Sequence, residues 1–335
     1  MVLLATLKDI AAACETSIAT VSYVLSGRGE ERRISAAMQQ KVVDAAEALG
    51  YDFASRARKN RRPAVAIFWP QRQMDSMLPS FISGMNTALG MAPISADVII
   101  QPYEPGHLAE QSTLWMPGRM GASVIVSAGT ADLVTLKNRK TTYPAVLINR
   151  MVPGYPSVSV EENEAGKLAA EYALAHAGDE ITLVLPDKWI LGVQYRSLSV
   201  QETCLRCGVK PRAAYTCGIE IDDGYALGQQ LLLEGKLTRA VICVYDTVAI
   251  GLAQAIKEAG LMPGRDVELI TMSMSYTSSN TRLYQNLTVV DLRQVEVSIR
   301  AINMAINLAT HAGDEVRQIV VHPLLIPHKQ EEGNG

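Results

Sequence analysis

From residue 64 onward, short runs rich in Val, Ile and Leu alternate with longer amphipathic stretches, and this alternation constrains the fold more than any other feature. The apolar runs fall at 65–69, 97–101, 123–127, 145–148, 181–185, 241–245 and 267–272. Helical periodicity marks 80–90, 164–177, 194–207, 222–234, 247–259 and 294–310. Strands that are apolar along their whole length need cover on both faces, so the pattern predicts parallel sheets flanked by helices. A region of about 270 residues exceeds one comfortable core, which predicts two α/β subdomains within 64–330. The expected division is 64–156 plus 286–316 for the first, and 157–285 plus 317–330 for the second. Open sheets of this kind bind ligands outside the carboxyl ends of their strands, so the cleft between subdomains is the expected ligand site.

The first fifty residues read differently. Thr6 stands before Leu7 with Asp9 three positions on, a helix start with an acid in its first turn. Leu7, Ile10, Ala11 and Cys14 then fall on one stripe. Ser17 can cap a second helix from Ile18 to Leu25, with Val21 and Leu25 on a shared face. A third starts after Ser35 and runs to Leu49, with Met38, Val42, Ala45 and Leu49 inward and Gly50 as its stop. The spacing fits a helix-turn-helix over 1–52, whose second helix would enter the major groove of DNA, or an ordinary three-helix bundle. Residues 53–63 read as a linker; five basic residues and no acid occupy 54–63, which favours phosphate contact.

Charge agrees with this division. The chain of 335 residues carries a net −3, but residues 1–63 hold ten Lys and Arg against seven Asp and Glu, so the remainder is net −6. A basic module on an acidic body is expected where one end meets a polyanion. With 48% apolar residues, disorder is excluded as the dominant state. The start meets charge at Lys8 and Asp9 and does not read as a signal peptide. Five cysteines, an odd number, suit a reducing cytoplasm. Cys204 and Cys207 form only half a zinc site, with no second pair or histidine to complete it. Neither a P-loop nor a nucleophile elbow is present, so no cofactor, no metal and no enzymatic activity are expected.

Three segments carry a family resemblance. Thr-Leu-Lys-Asp-Ile-Ala (6–11), Ser-Ile-Ala-Thr-Val-Ser-Tyr-Val-Leu-Ser (17–26) and Lys-Val-Val-Asp-Ala-Ala-Glu-Ala-Leu-Gly-Tyr (41–51) resemble the DNA-binding domain of the LacI/GalR family of transcriptional regulators. Asn149-Arg150, Arg196 and Val-Tyr-Asp-Thr-Val-Ala-Ile-Gly (244–251) resemble the family's effector domain. The resemblance implies a cytoplasmic homodimeric repressor that reads a double-stranded operator, with a small-molecule effector bound between two periplasmic-binding-protein-like subdomains. By position, Ile18, Ala19 and Tyr23 would face base edges, and Ser17, Thr20 and Ser22 would meet phosphates. Arg28, Arg58 and Arg61 are further DNA candidates. Asn149, Arg196, Tyr245, Asp246 and Met274 are the effector candidates. The alternatives are an ion pair closing the cleft for Arg196 and a helix cap for Asp246.

Departures from the family pattern matter as much. Glu15 stands at the turn usually held by glycine. The family hinge Pro-Asn-x-x-Ala-Arg-x-Leu is here 53–60, Phe-Ala-Ser-Arg-Ala-Arg-Lys-Asn, so Asn60 replaces the leucine that wedges into the minor groove. In the pocket, Met274, Ile219, Tyr245 and Leu292 replace groups that would bind or stack on a sugar. The expected effector is therefore less hydroxylated than a free sugar, with or without an anionic group for Arg196. The alternative to a regulator is a small-molecule receptor with a vestigial DNA-binding module.

Overall fold

The structure is a computed structural model, and it describes residues 6–25, 29, 32–49, 51, 63–71, 77–92, 95–115, 120–187, 190–310 and 316–328. The candidates Arg28, Arg58 and Arg61 and the altered hinge at 53–60 lie outside the described residues.

The N-terminal module comprises α1 (Leu7–Ala13), α2 (Ile18–Leu25) and α3 (Ala36–Ala48). Thr6 and Asp9 form a reciprocal capping box: the Asp9 carboxylate accepts from Thr6 N at 2.7 Å and from Thr6 Oγ1 at 2.6 Å. Ile10, Ala11, Cys14, Val21, Val24, Val42, Ala46 and Tyr51 make its small core. The inward stripe differs from the expected one. Leu49 is 42% exposed, Ala46 is buried rather than Ala45, and Val24 sits deeper than Leu25. A stripe on a 3.6-residue period drifts relative to the core, so an end residue such as Leu49 rotates outward.

From residue 64 come β1 (Ala64–Pro70), α4 (Leu78–Met91), β2 (Asp97–Tyr103), α5 (Ser112–Trp115), β3 (Ala122–Val126), α6 (Thr130–Asn138), β4 (Ala145–Ile148) and β5 (Ser157–Val160). Then follow α7 (Glu162–Ala177), β6 (Ile181–Pro186), α8 (Leu191–Arg206), β7 (Ala213–Cys217), α9 (Ile221–Leu233), β8 (Ala240–Cys243), α10 (Asp246–Glu258), β9 (Glu268–Ser273) and β10 (Thr288–Asp291). The chain ends with α11 (Gln294–Thr310), β11 (Gln318–Val321) and β12 (Leu324–Ile326). Two six-stranded sheets result, in the orders β11-β5-β4-β3-β1-β2 and β12-β10-β9-β8-β6-β7. All pairings are parallel except β10 with β12.

The sheets correct the expected subdomain boundaries. Residues 157–160 and 318–321 belong to the first sheet, and 288–291 to the second, each opposite to the expected division. The chain therefore changes subdomain after β5, after β10 and after β11, a few residues later than expected each time. The physical reason is strand pairing: β5 lies between β4 and β11, parallel to both, and β10 lies between β9 and β12. Local apolar pattern announces a strand but not the sheet it joins. After the crossings, α7 packs on β8 and β9 of the second sheet, and α11 packs on β3, β4 and β5 of the first.

Candidate functional site

Two places carry chemistry. On the N-terminal module, α2 buries Val21 and Val24 and turns its first residues outward. Ser17, Ile18 and Ala19 are exposed, with Ile18 at 49%, while Thr20, Ser22 and Tyr23 are half-buried. Ser17 Oγ accepts the Thr20 amide at 3.0 Å and shares a hydrogen bond with Thr20 Oγ1 at 2.8 Å, closing the amino end of α2. Glu15 takes φ 53°, so the left-handed turn normally reserved for glycine is held here by a side chain with a Cβ. The Arg32 guanidinium lies 4.7 Å from the centre of the Tyr23 ring, a cation–π contact that orients the phenol. Sequence spacing gave no sign of this pairing, because Arg32 lies in a loop with no helical register to α2.

The second place is the cleft. A pocket of about 290 Å³, including its open mouth, is lined by Met77, Arg196, Val244, Tyr245, Asp246, Met272, Met274 and Ser275. Tyr245 and Asp246 open α10 just past β8, and Met274 and Ser275 follow β9, so the pocket lies at the carboxyl ends of the second sheet. Met77, just before α4, closes it from the first subdomain. Four of the five candidate residues, Arg196, Tyr245, Asp246 and Met274, thus surround one space. Asn149 is not among the residues lining it. With φ 56°, its Oδ1 accepts the Val160 amide at 3.3 Å, tying the end of β4 to the end of β5. Leu292 is fully buried core. Ile219 accepts the Thr247 hydroxyl on its carbonyl.

Inside the pocket the polar groups are largely spoken for. Asp246 Oδ2 accepts Ser273 Oγ at 2.5 Å and Tyr284 Oη at 2.8 Å, while its Oδ1 accepts the Thr247 amide at 3.0 Å. Burial pushes the Tyr284 phenol far up, with the Asp246 charge adding to it, so Tyr284 stays a donor to that carboxylate. Burial also raises the Tyr245 phenol, with Arg196 pulling the other way. Arg196 is 3% exposed; its Nε lies 3.0 Å from Glu162 Oε2 and 3.3 Å from the Gly192 carbonyl, and its Nη1 reaches the Val244 carbonyl at 3.4 Å. Glu162 was missed by sequence reasoning, as were Met77, Met272 and Ser275. An acid in the first turn of a helix reads as an ordinary dipole partner. Its ion pair with α8 exists only because α7 and α8 pack side by side. Among the described residues, no cluster of three His, Cys, Asp or Glu is placed to hold a metal, and no helix is long and apolar enough to cross a membrane.

Residues 6–52 match the family model for bacterial regulatory proteins of the lacI family, and residues 170–329 match a periplasmic binding protein-like domain. The chain is 22% identical over 338 residues to the transcriptional repressor PurR of Haemophilus influenzae, covering 97% of this chain and 98% of that relative. Among solved structures, a LacI-family transcription regulator from Clostridium acetobutylicum superposes with a TM-score of 0.74 at 20% identity, over 80% of this chain and all of that one. The lac repressor dimer bound to operator and the anti-inducer ONPF superposes with a TM-score of 0.65 at 18% identity, over 97% of this chain and 98% of that one.

Proposed function

Because this chain belongs to the lacI family of bacterial regulatory proteins, we propose that it is a sequence-specific DNA-binding transcriptional repressor, acting as a homodimer in the cytoplasm and controlled by a small molecule bound in its cleft. The observation that carries this reading is the half-exposed Ile18 at the solvent-facing start of a helix whose other face is packed. An apolar side chain left there is matched by the thymine methyl in the major groove, which Ile18 and Ala19 can contact without a hydrogen bond. Ser17, Thr20 and Ser22 stand beside it as short donors for phosphates, and Tyr23, steadied by Arg32, adds a phenol that can reach a base edge. Arg28, Arg58 and Arg61 supply charge for the backbone of the duplex.

In the cleft, Arg196, Tyr245 and Met274 are the ligand-facing residues of this reading, Asp246 is a positioning residue, and Asn149 holds the crossover strand beside it. Selection of bound duplexes from a random pool, with full-length protein, tests the proposal. The expected product is a palindrome with a thymine in each half-site opposite Ile18. Recovery of no consensus would leave a receptor without operator function and overturn the reading.

A further inference from the structure

We propose that Glu162 is a specificity-determining residue of the cleft: by occupying Arg196 it reserves the pocket for an uncharged, largely apolar ring compound and excludes anions. The inference rests on the effector role proposed above for this pocket.

Three observations converge. Glu162 Oε2 stands 3.0 Å from Arg196 Nε, and the two side chains are 14% and 4% exposed, so the single cation lining the pocket already has a carboxylate at contact. The carboxylate that does line the pocket, Asp246, is held there by Ser273, Tyr284 and the Thr247 amide. An incoming anion would meet a guanidinium whose charge Glu162 already balances from behind, and the Asp246 carboxylate on the lining itself, so no net attraction is left for it. The remaining lining is Met77, Met272, Met274, Val244 and the Tyr245 ring. Thioethers adapt to irregular apolar shapes and make favourable contacts with aromatic edges, whereas they offer nothing to a ring of hydroxyls.

The packing shows that the pair is built rather than accidental. Gly166 lies one turn after Glu162 on α7, and a Cβ there would come within 2.2 Å of the Arg196 carbonyl oxygen. Only a glycine lets α7 approach α8 closely enough at this level. Gly192 lies one turn before Arg196 on α8, and a Cβ there would sit 2.4 Å from Glu162 Oε1. Gly166 therefore sets the close approach of the two helices, and Gly192 leaves room for the Glu162 carboxylate. Arg150 is a further cation near enough to Glu162 to feel its charge, but it does not line the pocket, and its guanidinium donates to the Ala128 and Asn149 carbonyls at 2.8 and 2.6 Å.

The test compares matched pairs of aromatic amides and carboxylates, benzamide with benzoate and nicotinamide with nicotinate, by thermal shift on the full-length chain and on Glu162→Gln. On the wild type at least one amide should stabilise and its carboxylate should not. In Glu162→Gln the carboxylate should gain about tenfold in affinity relative to its amide. The wild-type preference needs no variant, so it is readable even if Glu162→Gln folds poorly. A carboxylate that stabilises the wild type as well as its amide, or a ratio unmoved by Glu162→Gln, overturns the proposal. A panel of neutral sugars run alongside separates the failures. Stabilisation by a sugar alone, abolished in Arg196→Ala, overturns the ligand class and leaves the effector site standing. No response to either panel overturns both.

Discussion

At the scale of single residues, the N-terminal module holds one strained position and one supported one. Glu15 at φ 53° is in a region that costs a residue with a Cβ about 1 kcal/mol, so Glu15→Gly should stabilise the module by about that amount, less the entropy glycine adds to the unfolded chain. Hydrogen exchange of the α1 and α2 amides measures it, and slower exchange in the variant is expected. Thr6 and Asp9 work the other way. Hydrogen bonds from Thr6 hold the Asp9 carboxyl below its ordinary value of 3.8. A depressed folded value means that the contribution is present above 3.8 and is lost as pH falls through the lower folded value. Acidification should therefore loosen α1 in the wild type and leave Asp9→Asn unchanged over the same range. Tyr23→Ala should weaken the selected operator by roughly 1–3 kcal/mol and unrelated DNA far less. Arg32→Ala, which removes the cation over the ring, should reproduce part of that loss in a binding titration, whereas equal losses on both sequences would make the pair a general anchor. The helix start at Thr6 with an acid three positions on was legible from local residue types, and the unusual turn residue Glu15 through the family resemblance. The stacking of Arg32 on Tyr23 was not, because it depends on where a loop folds back.

At the scale of elements, a parallel α/β region shows its continuously apolar strands and hides its short or alternating ones. The runs that became β1, β3, β4, β6, β8 and β9 are buried along nearly their whole length and read plainly. By contrast β7 alternates half-buried and exposed residues, β11 buries only Val321, and β12 is three residues long; edge strands of that kind lack a continuous apolar signature. The crossings were displaced for a second reason: β5 and β10 are four-residue strands inside their sheets, and their residues do not say which sheet they join. Four of the five cleft candidates were legible through position in the resemblance, but the ion partner of Arg196 was not, since pairing α7 with α8 is a tertiary event. Gly166→Ala tests that pairing. Its Cβ would meet backbone rather than a movable side chain, so overpacking should cost about 1–3 kcal/mol, read as a lower denaturant midpoint. A neutral result would mean that α7 and α8 can slide apart, and with them Glu162 and Arg196.

At the scale of the whole molecule, the module of residues 1–63 is net +3 and the rest net −6, so the acidic body cannot itself favour DNA and the contact must be concentrated at one end. One such module covers a half-site only, and a repressor of this design needs two, related by the two-fold axis of its operator. Sedimentation at micromolar concentration should show a dimer, and a monomer that stays single on DNA would contradict the reading. Whether this DNA-binding regulator reads sequence is decided by a salt titration of binding to the selected palindrome and to a scrambled duplex of equal length. The logarithm of the affinity for both should fall linearly with the logarithm of salt as phosphate contacts are lost, while the palindrome stays about a thousandfold or more tighter throughout. Equal affinities at every salt concentration would contradict it.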